Sequence, residues 1–226
     1  MPNIPAADIV SLAWFVAVWT GYTWYADRVS RRARSLRAVM HVHRYEWMRR
    51  MLGRGDRIVD VNIIGNLLQS VSFFASTTLL ILAGLVAILG ATDKAIELVR
   101  ELPFTGRMTL VQWELKLLVL IAIFVHAFFK FTWALRQFNY CSVLIGAAPG
   151  AGAKSSAGDA YALRAAEVST LASKDFNQGL RAYYFSLAAL SWFVNPWVFI
   201  AATTLVIAVL YWREYHSEAL RMLRNR

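Results

Sequence analysis

Two ionisable side chains stand inside a run of apolar and aromatic residues, and they are the chain's best candidates for chemistry. His126 and Lys130 lie four positions apart in WELKLLVLIAIFVHAFFKFTWALRQFNYCSVLIG, which starts at Trp113. On a helix that spacing puts them on one face, with Gln137 two turns further along and Cys141 another turn on. Ionisable groups at membrane depth are costly, so they face a partner or a wet cavity. Counted from Arg136 at the helical rise, Lys130 lies about 9 Å deep and His126 about 15 Å. A lysine reaches back part of that distance, whereas a histidine does not. A second polar row, Asn62, Asn66, Gln69 and Ser76, recurs at helical spacing through another apolar stretch. Buried amides need partners, so this row is expected to face a helix or water and not lipid. Two arrangements fit. In one, His126 and Lys130 face the amide row and form a polar pathway. In the other, Lys130 reaches a boundary carboxylate such as Asp27 or Asp60 in a structural network.

Other chemistries lack their residues. The histidines His41, His43, His126 and His216 are scattered, and His41 and His43 diverge on a helix. Neither CxxC nor HExxH occurs, so no metal site and no cofactor are expected. There is no G-x-S-x-G, and Glu114 and Lys116 read as boundary charges near the outer end of their helix. The stretch AAPGAGAKSSAG (147–158) ends near Lys-Ser, but Ala153 stands where a phosphate-binding loop requires glycine. It reads as a linker. The expectation is a protein without catalytic activity.

Composition names the solvent in which these residues work. Of the 226 residues, 58% are hydrophobic, more than the roughly 45–50% of soluble domains, and 14% are aromatic. The net charge of +10 is concentrated in one segment, a pattern of membrane topology that argues against a nucleic-acid partner. Cys141 is the only cysteine, so an intrachain disulfide is excluded. Residues 1–8 carry no Lys or Arg, and the first apolar segment is expected to stay in the membrane.

Four stretches approach the ~20 apolar residues that cross a bilayer: 9–26, 71–90, 117–135 and 183–212. Arg28, Arg31, Arg32, Arg34, Arg37, Arg44, Arg49, Arg50, Arg54 and Arg57 all fall between the first two. The positive-inside bias therefore places that loop in the cytoplasm and the N-terminus outside. The fourth stretch is interrupted by Asn195-Pro196. A single kinked span sends the tail outside, against its basic residues Arg213, Arg221, Arg224 and Arg226, and a re-entrant hairpin turning at Asn195-Pro196 keeps it inside. Segments 29–70 and 159–182 read as cytoplasmic helices. Leu36, Met40, His43, Trp47 and Met51 form the apolar side of the first, and Arg31, Arg32, Arg34, Arg37, Arg49 and Arg50 would meet anionic lipid headgroups. After the break at Gly53–Gly55, a helix is predicted from Asp56 to Gly90, about 50 Å long. In 159–180, Ala162, Ala166, Ser169, Ser173 and Phe176 give a face of mainly small residues suited to close packing.

FFKFTWALRQFNYCSVLIG (128–146) and FNQGLRAYYFSLAALSWFVNPW (176–197) resemble the signature segments of domain-of-unknown-function family 599, membrane proteins of bacteria and plants. The resemblance covers most of the chain, and K-F-x-W-x-x-R-Q-x-N-Y and N-x-G-x-R-x-Y-Y are long motifs. It implies a four-helix inner-membrane protein and transfers no activity. Its signature residues here would be Lys130, Trp133, Arg136, Gln137, Asn139, Tyr140, Asn177, Gly179, Arg181 and Tyr184.

The expected architecture is all-α, an integral membrane four-helix bundle in one domain with long cytoplasmic helical extensions. It is placed in a bacterial inner membrane with its N-terminus outside. The expected function is a homo-oligomeric channel or transporter for ions or small solutes. Its network comprises Asn62, Asn66, Gln69, His126, Lys130, Arg136, Gln137, Asn139, Asn177 and Arg181. The alternative is a scaffold or accessory subunit that binds a membrane protein partner or anionic lipid through its Arg-rich segment.

Overall fold

The computed structural model describes residues 5–29, 35–92, 109–150 and 156–224, which are helical with short turns and contain no strand. In order they form α1 (Ala6–Val29), α2 (Leu36–Leu52), α3 (Ile58–Gly90), α4 (Leu110–Gly146) and α5 (Ser156–Leu190). A 3-10 turn (Ser191–Phe193), α6 (Pro196–Tyr215) and α7 (Glu218–Arg224) complete the chain. Among the described residues four helices, α1, α3, α4 and the one beginning at Pro196, are long and apolar enough to cross a membrane. The protein is thus an all-α chain with the composition of a membrane protein.

Local sequence sets the helix limits. Ser35 caps α2, its side chain accepting from the Ala38 amide at 3.2 Å, and Gly53 closes it by donating to the Arg50 carbonyl. Asp56 Oδ1 accepts from the Ile58 amide at 2.9 Å and opens α3. Thr109 and Gln112 cap α4 reciprocally. The Gln112 amide donates to Thr109 Oγ1 at 3.3 Å, and Gln112 Oε1 accepts from the Thr109 amide at 3.0 Å. The stretch 183–212 is two helices and not one kinked span. Pro196 has no N–H to continue a helix but suits a first turn, and Asn195 Oδ1 accepts from the Trp197 amide at 2.8 Å.

The chain divides into two compact units. The first holds Met1–Arg28, Thr77–Phe128 and Leu180–Arg213. Its core is aromatic. Phe15 meets Phe185 edge-on at 5.7 Å and Phe199 at 5.0 Å, Trp192 stacks on Phe199 at 5.1 Å, and Trp19 stacks on Phe185 at 5.3 Å. Trp113 and Leu117 pack with Leu85, Leu89 and Phe193 in the same unit. At the far end of α6, Arg213 Nη1 donates to Tyr184 Oη of α5 at 2.5 Å.

The second unit holds Val29–Ser76, Phe129–Gly179 and Glu214–Arg226. The small-residue face of α5 is buried: Ala162, Ala165, Ala166, Ser169 and Ala172 are inaccessible. Small side chains let α4 and α5 approach, so that Tyr161 Oη donates to the Leu144 carbonyl at 2.6 Å. Phe131 stacks on Phe74 at 5.5 Å and tilts against Phe176 at 5.8 Å. A Cβ at Gly179 would collide with the Phe131 ring, so glycine is required there by space. The basic helix α2 turns differently from the expectation. Met48, Met51 and Leu52 are its buried residues, and His43 is exposed. α7 packs against α2, and Arg37 Nε lies 3.6 Å from Glu214 Oε1.

Candidate functional site: paired charges among apolar helices

In the second unit the site is built around Asp175 of α5. Lys130 Nζ lies 3.1 Å from Asp175 Oδ1, and Gln137 Nε2 donates to Oδ2 at 2.7 Å. Lys130 and Gln137 sit two turns apart on α4, so one carboxylate serves both. The Lys130 side chain is 30% exposed and that of Asp175 12%, which leaves the pair partly open at its lysine end. Gln137 Oε1 is buried without a hydrogen-bond partner among the described residues. Lys130 therefore pairs with Asp175, and not with the Asp27 or Asp60 expected from the sequence. Asp27 belongs to Arg181 and Asp60 to Arg54.

The first unit contains two further pairs. Arg181 is buried, its Nη2 3.3 Å from Asp27 Oδ1 and its guanidinium 6.0 Å from the Tyr22 ring. Lys116 is also buried and is not the boundary charge it resembles. Its Nζ donates to the Trp192 carbonyl at 2.9 Å and lies 3.5 Å from Asp8 Oδ1, which accepts from Trp192 Nε1 at 2.7 Å. The sequence held one hint of this pair. Asp8 and Lys116 are opposite charges near the same predicted end of their spans.

The amide row has a different fate. Asn62, Asn66 and Gln69 are exposed on α3, away from any pairing with Lys130, which is engaged by Asp175. His126 is exposed too, its ring edge-on to Trp19 at 5.6 Å. Arg136 Nε donates to Tyr140 Oη at 2.7 Å and lies over the exposed Trp133. Asn139 is exposed, and Asn177 Nδ2 donates to the Ser173 carbonyl of its own helix at 2.8 Å. Of the ten residues, Lys130 and Gln137 share a partner, Asp175.

Of the arginines expected to meet lipid, Arg37 is engaged inside the second unit, as are Arg44, Arg54 and Arg57 of the same basic segment. Arg57 donates to the carbonyls of Ile145, Ala148 and Pro149, at 3.2, 2.7 and 2.6 Å, and so caps the end of α4. Arg54 Nη1 and Trp47 Nε1 each donate at 2.6 Å to Asp60 Oδ1, which is fully buried. Burial pulls Arg44 below the usual arginine range, opposed by the neighbouring Cys141. Arg37 is held by Glu214. Arg49 and Arg50 remain exposed, both bonded to Glu46. Hydrogen bonds from Arg50 and then Arg49 hold the Glu46 carboxyl below the usual glutamate range. Arg31, Arg32 and Arg34 lie outside the described residues.

The described residues contain no group of three or more His, Cys, Asp or Glu side chains placed to hold a metal. Residues 10–219 match a family described as "Protein of unknown function, DUF599". No curated protein and no solved structure matches the chain.

Proposed function

The chain belongs to the DUF599 family, and from the state of its charged residues we propose that it is a non-catalytic membrane scaffold or accessory subunit. One observation carries this reading. Asp8 with Lys116, Asp27 with Arg181 and Lys130 with Asp175 each join helices of one unit, so the charges act as links within the chain. In an apolar surrounding such links fix which helices meet, which is a structural task for these six charges. The open polar surface includes the uncharged amides on α3 and the Arg49/Arg50 edge of α2, both suited to association.

The reading includes a bacterial inner membrane, with the N-terminus outside and α2 in the cytoplasm. α7 packs on α2, which supports a tail on that same side and agrees with its basic residues. Five crossings or re-entries then replace four, with the end of α5 and α6 forming a hairpin at Asn195-Pro196.

A second reading, conduction of ions or small solutes by an oligomer, is favoured by the partly open Lys130–Asp175 pair and the unpartnered Gln137 Oε1 beside it. Such a site has room in its bonding for one more donor. Reconstitution in liposomes separates the two. The scaffold reading expects flux of K⁺, Na⁺, Cl⁻ and protons no greater than in empty vesicles, and a reproducible complex on mild extraction of native membranes. Ion flux that Lys130→Met abolishes would overturn it.

A further inference from the structure

The exposed amides of α3 occupy a defined line. Asn62, Asn66, Gln69, Phe73 and Ser76 are separated by four, three, four and three residues, the alternation of a coiled-coil seam, and all five are exposed. At about 100° per residue this line runs roughly opposite the buried ridge of Asp60, Ile64, Val71 and Ala75. It therefore sits in the middle of the open face. Val61 borders it on one side and Val59 and Ile63 on the other, exposed by 47%, 63% and 39%. Neither simple solvent suits such a face. Water leaves the valines and isoleucine and Phe73 wet, and lipid leaves three amides without hydrogen bonds. Another protein surface satisfies both.

We propose that this line is the contact through which α3 meets α3 of a second copy. Three features select a copy of the chain over a different protein. The line carries no formal charge, so two copies approach without like-charge repulsion. Each asparagine or glutamine amide offers donors and an acceptor, so the row is its own complement. Copies inserted in one membrane share one orientation, so the line meets itself in parallel and in register, with Asn66 opposite Asn66. A polar residue in such a seam fixes register, because a slipped pairing strands the amide against an apolar side chain. The seam spans about 21 Å from Asn62 to Ser76. This contact is independent of whether the assembly also includes another protein or conducts.

Single cysteines placed in a Cys141→Ala background of the full chain test it in native membranes. Asn66→Cys and Phe73→Cys are expected to give disulfide-linked dimers on mild oxidation. Val143→Cys and Leu171→Cys, which are exposed on other helices of the same unit, are expected to give little. Phe73→Cys keeps all three amides, so its result does not depend on tolerance of their loss. In detergent micelles, Asn62→Leu/Asn66→Leu/Gln69→Leu is expected to weaken self-association by about tenfold or more, measured by sedimentation equilibrium. Equal crosslinking at all four positions, crosslinks from Phe73→Cys to a different protein only, or a monomeric unsubstituted chain would each overturn the proposal.

Discussion

Gly179→Ala tests the packing of the second unit through a change of sign. Gly179 lies within α5, and its backbone is not in the left-handed region, so alanine is acceptable to the main chain. Taken alone, the substitution favours the helix by about 0.8–1.0 kcal/mol. The added methyl, however, would occupy the space of Phe131 Cδ1, Cε1 and Cζ. That ring is fully buried between Phe74 and Phe176 and has nowhere to turn. Overfilling a packed site costs about 1–3 kcal/mol, and a collision with a confined ring belongs in the upper half of that range. The expected net effect is a loss of about 1–2 kcal/mol, the overfilling less the gain in helix propensity. Phe131→Val removes the three obstructing atoms. In that background Gly179→Ala is expected to stabilise the protein, because the propensity gain alone remains. Unfolding of the four chains in detergent micelles, followed by circular dichroism, measures both differences. A Gly179→Ala effect of the same sign and size in both backgrounds would refute the reasoning.

Lys130→Met leaves the largely buried Asp175 with the Gln137 amide but without its counter-charge, and a loss of about 2–4 kcal/mol is expected, below the full buried-pair value because Lys130 is partly exposed. With Asp175→Leu added, a double-mutant cycle should show coupling; additive losses would mean the two side chains do not support each other. Lys116→Met strands the buried Asp8, at about 3–5 kcal/mol, while Asp8→Asn/Lys116→Met keeps an acceptor for Trp192 Nε1 and should recover much of it. Failure of that recovery in thermal unfolding would count against an ion pair. Glu46 titrates below 4.5 because it accepts from Arg50 and Arg49, so its small stabilising effect is present above that pH and fades as acid protonates it. Carbon NMR of the labelled side chain should show Arg50→Ala moving the midpoint upward, and a larger shift for Arg49→Ala would contradict the ranking of the two bonds.

The helices were legible in the sequence wherever pattern and caps agree. Asp56 to Gly90 reads as one helix and is one, apart from two residues at its start, because no proline and no cluster of glycines intervenes. The small-residue face of the 159–180 segment was likewise visible, since only close packing explains such a row. The pairing of charges was not. Asp8, Asp27, Asp60 and Asp175 are chemically equivalent candidates for any one cation, and which helix faces which is fixed by packing of the whole unit. His43 failed for a related reason. Two adjacent faces of α2 both have helical spacing, and Met48, Met51 and Leu52 fill the core better. The amide row was seen correctly as a row, but a single chain does not cover it.

The turn at Asn195-Pro196 bears on how the protein is made. α5 is not among the four helices apolar and long enough to cross a membrane, so its last residues have little reason to enter one alone. On the topology proposed above, they do so together with α6, after the ribosome has released both arms. By then α1 is already in place with Asp27, so Arg181 finds its counter-ion on arrival. Truncation before Pro196 should therefore leave Arg181 accessible to aqueous reagents from the cytoplasmic side, even though Asp27 and Tyr22, which meet it in the full chain, have been synthesised.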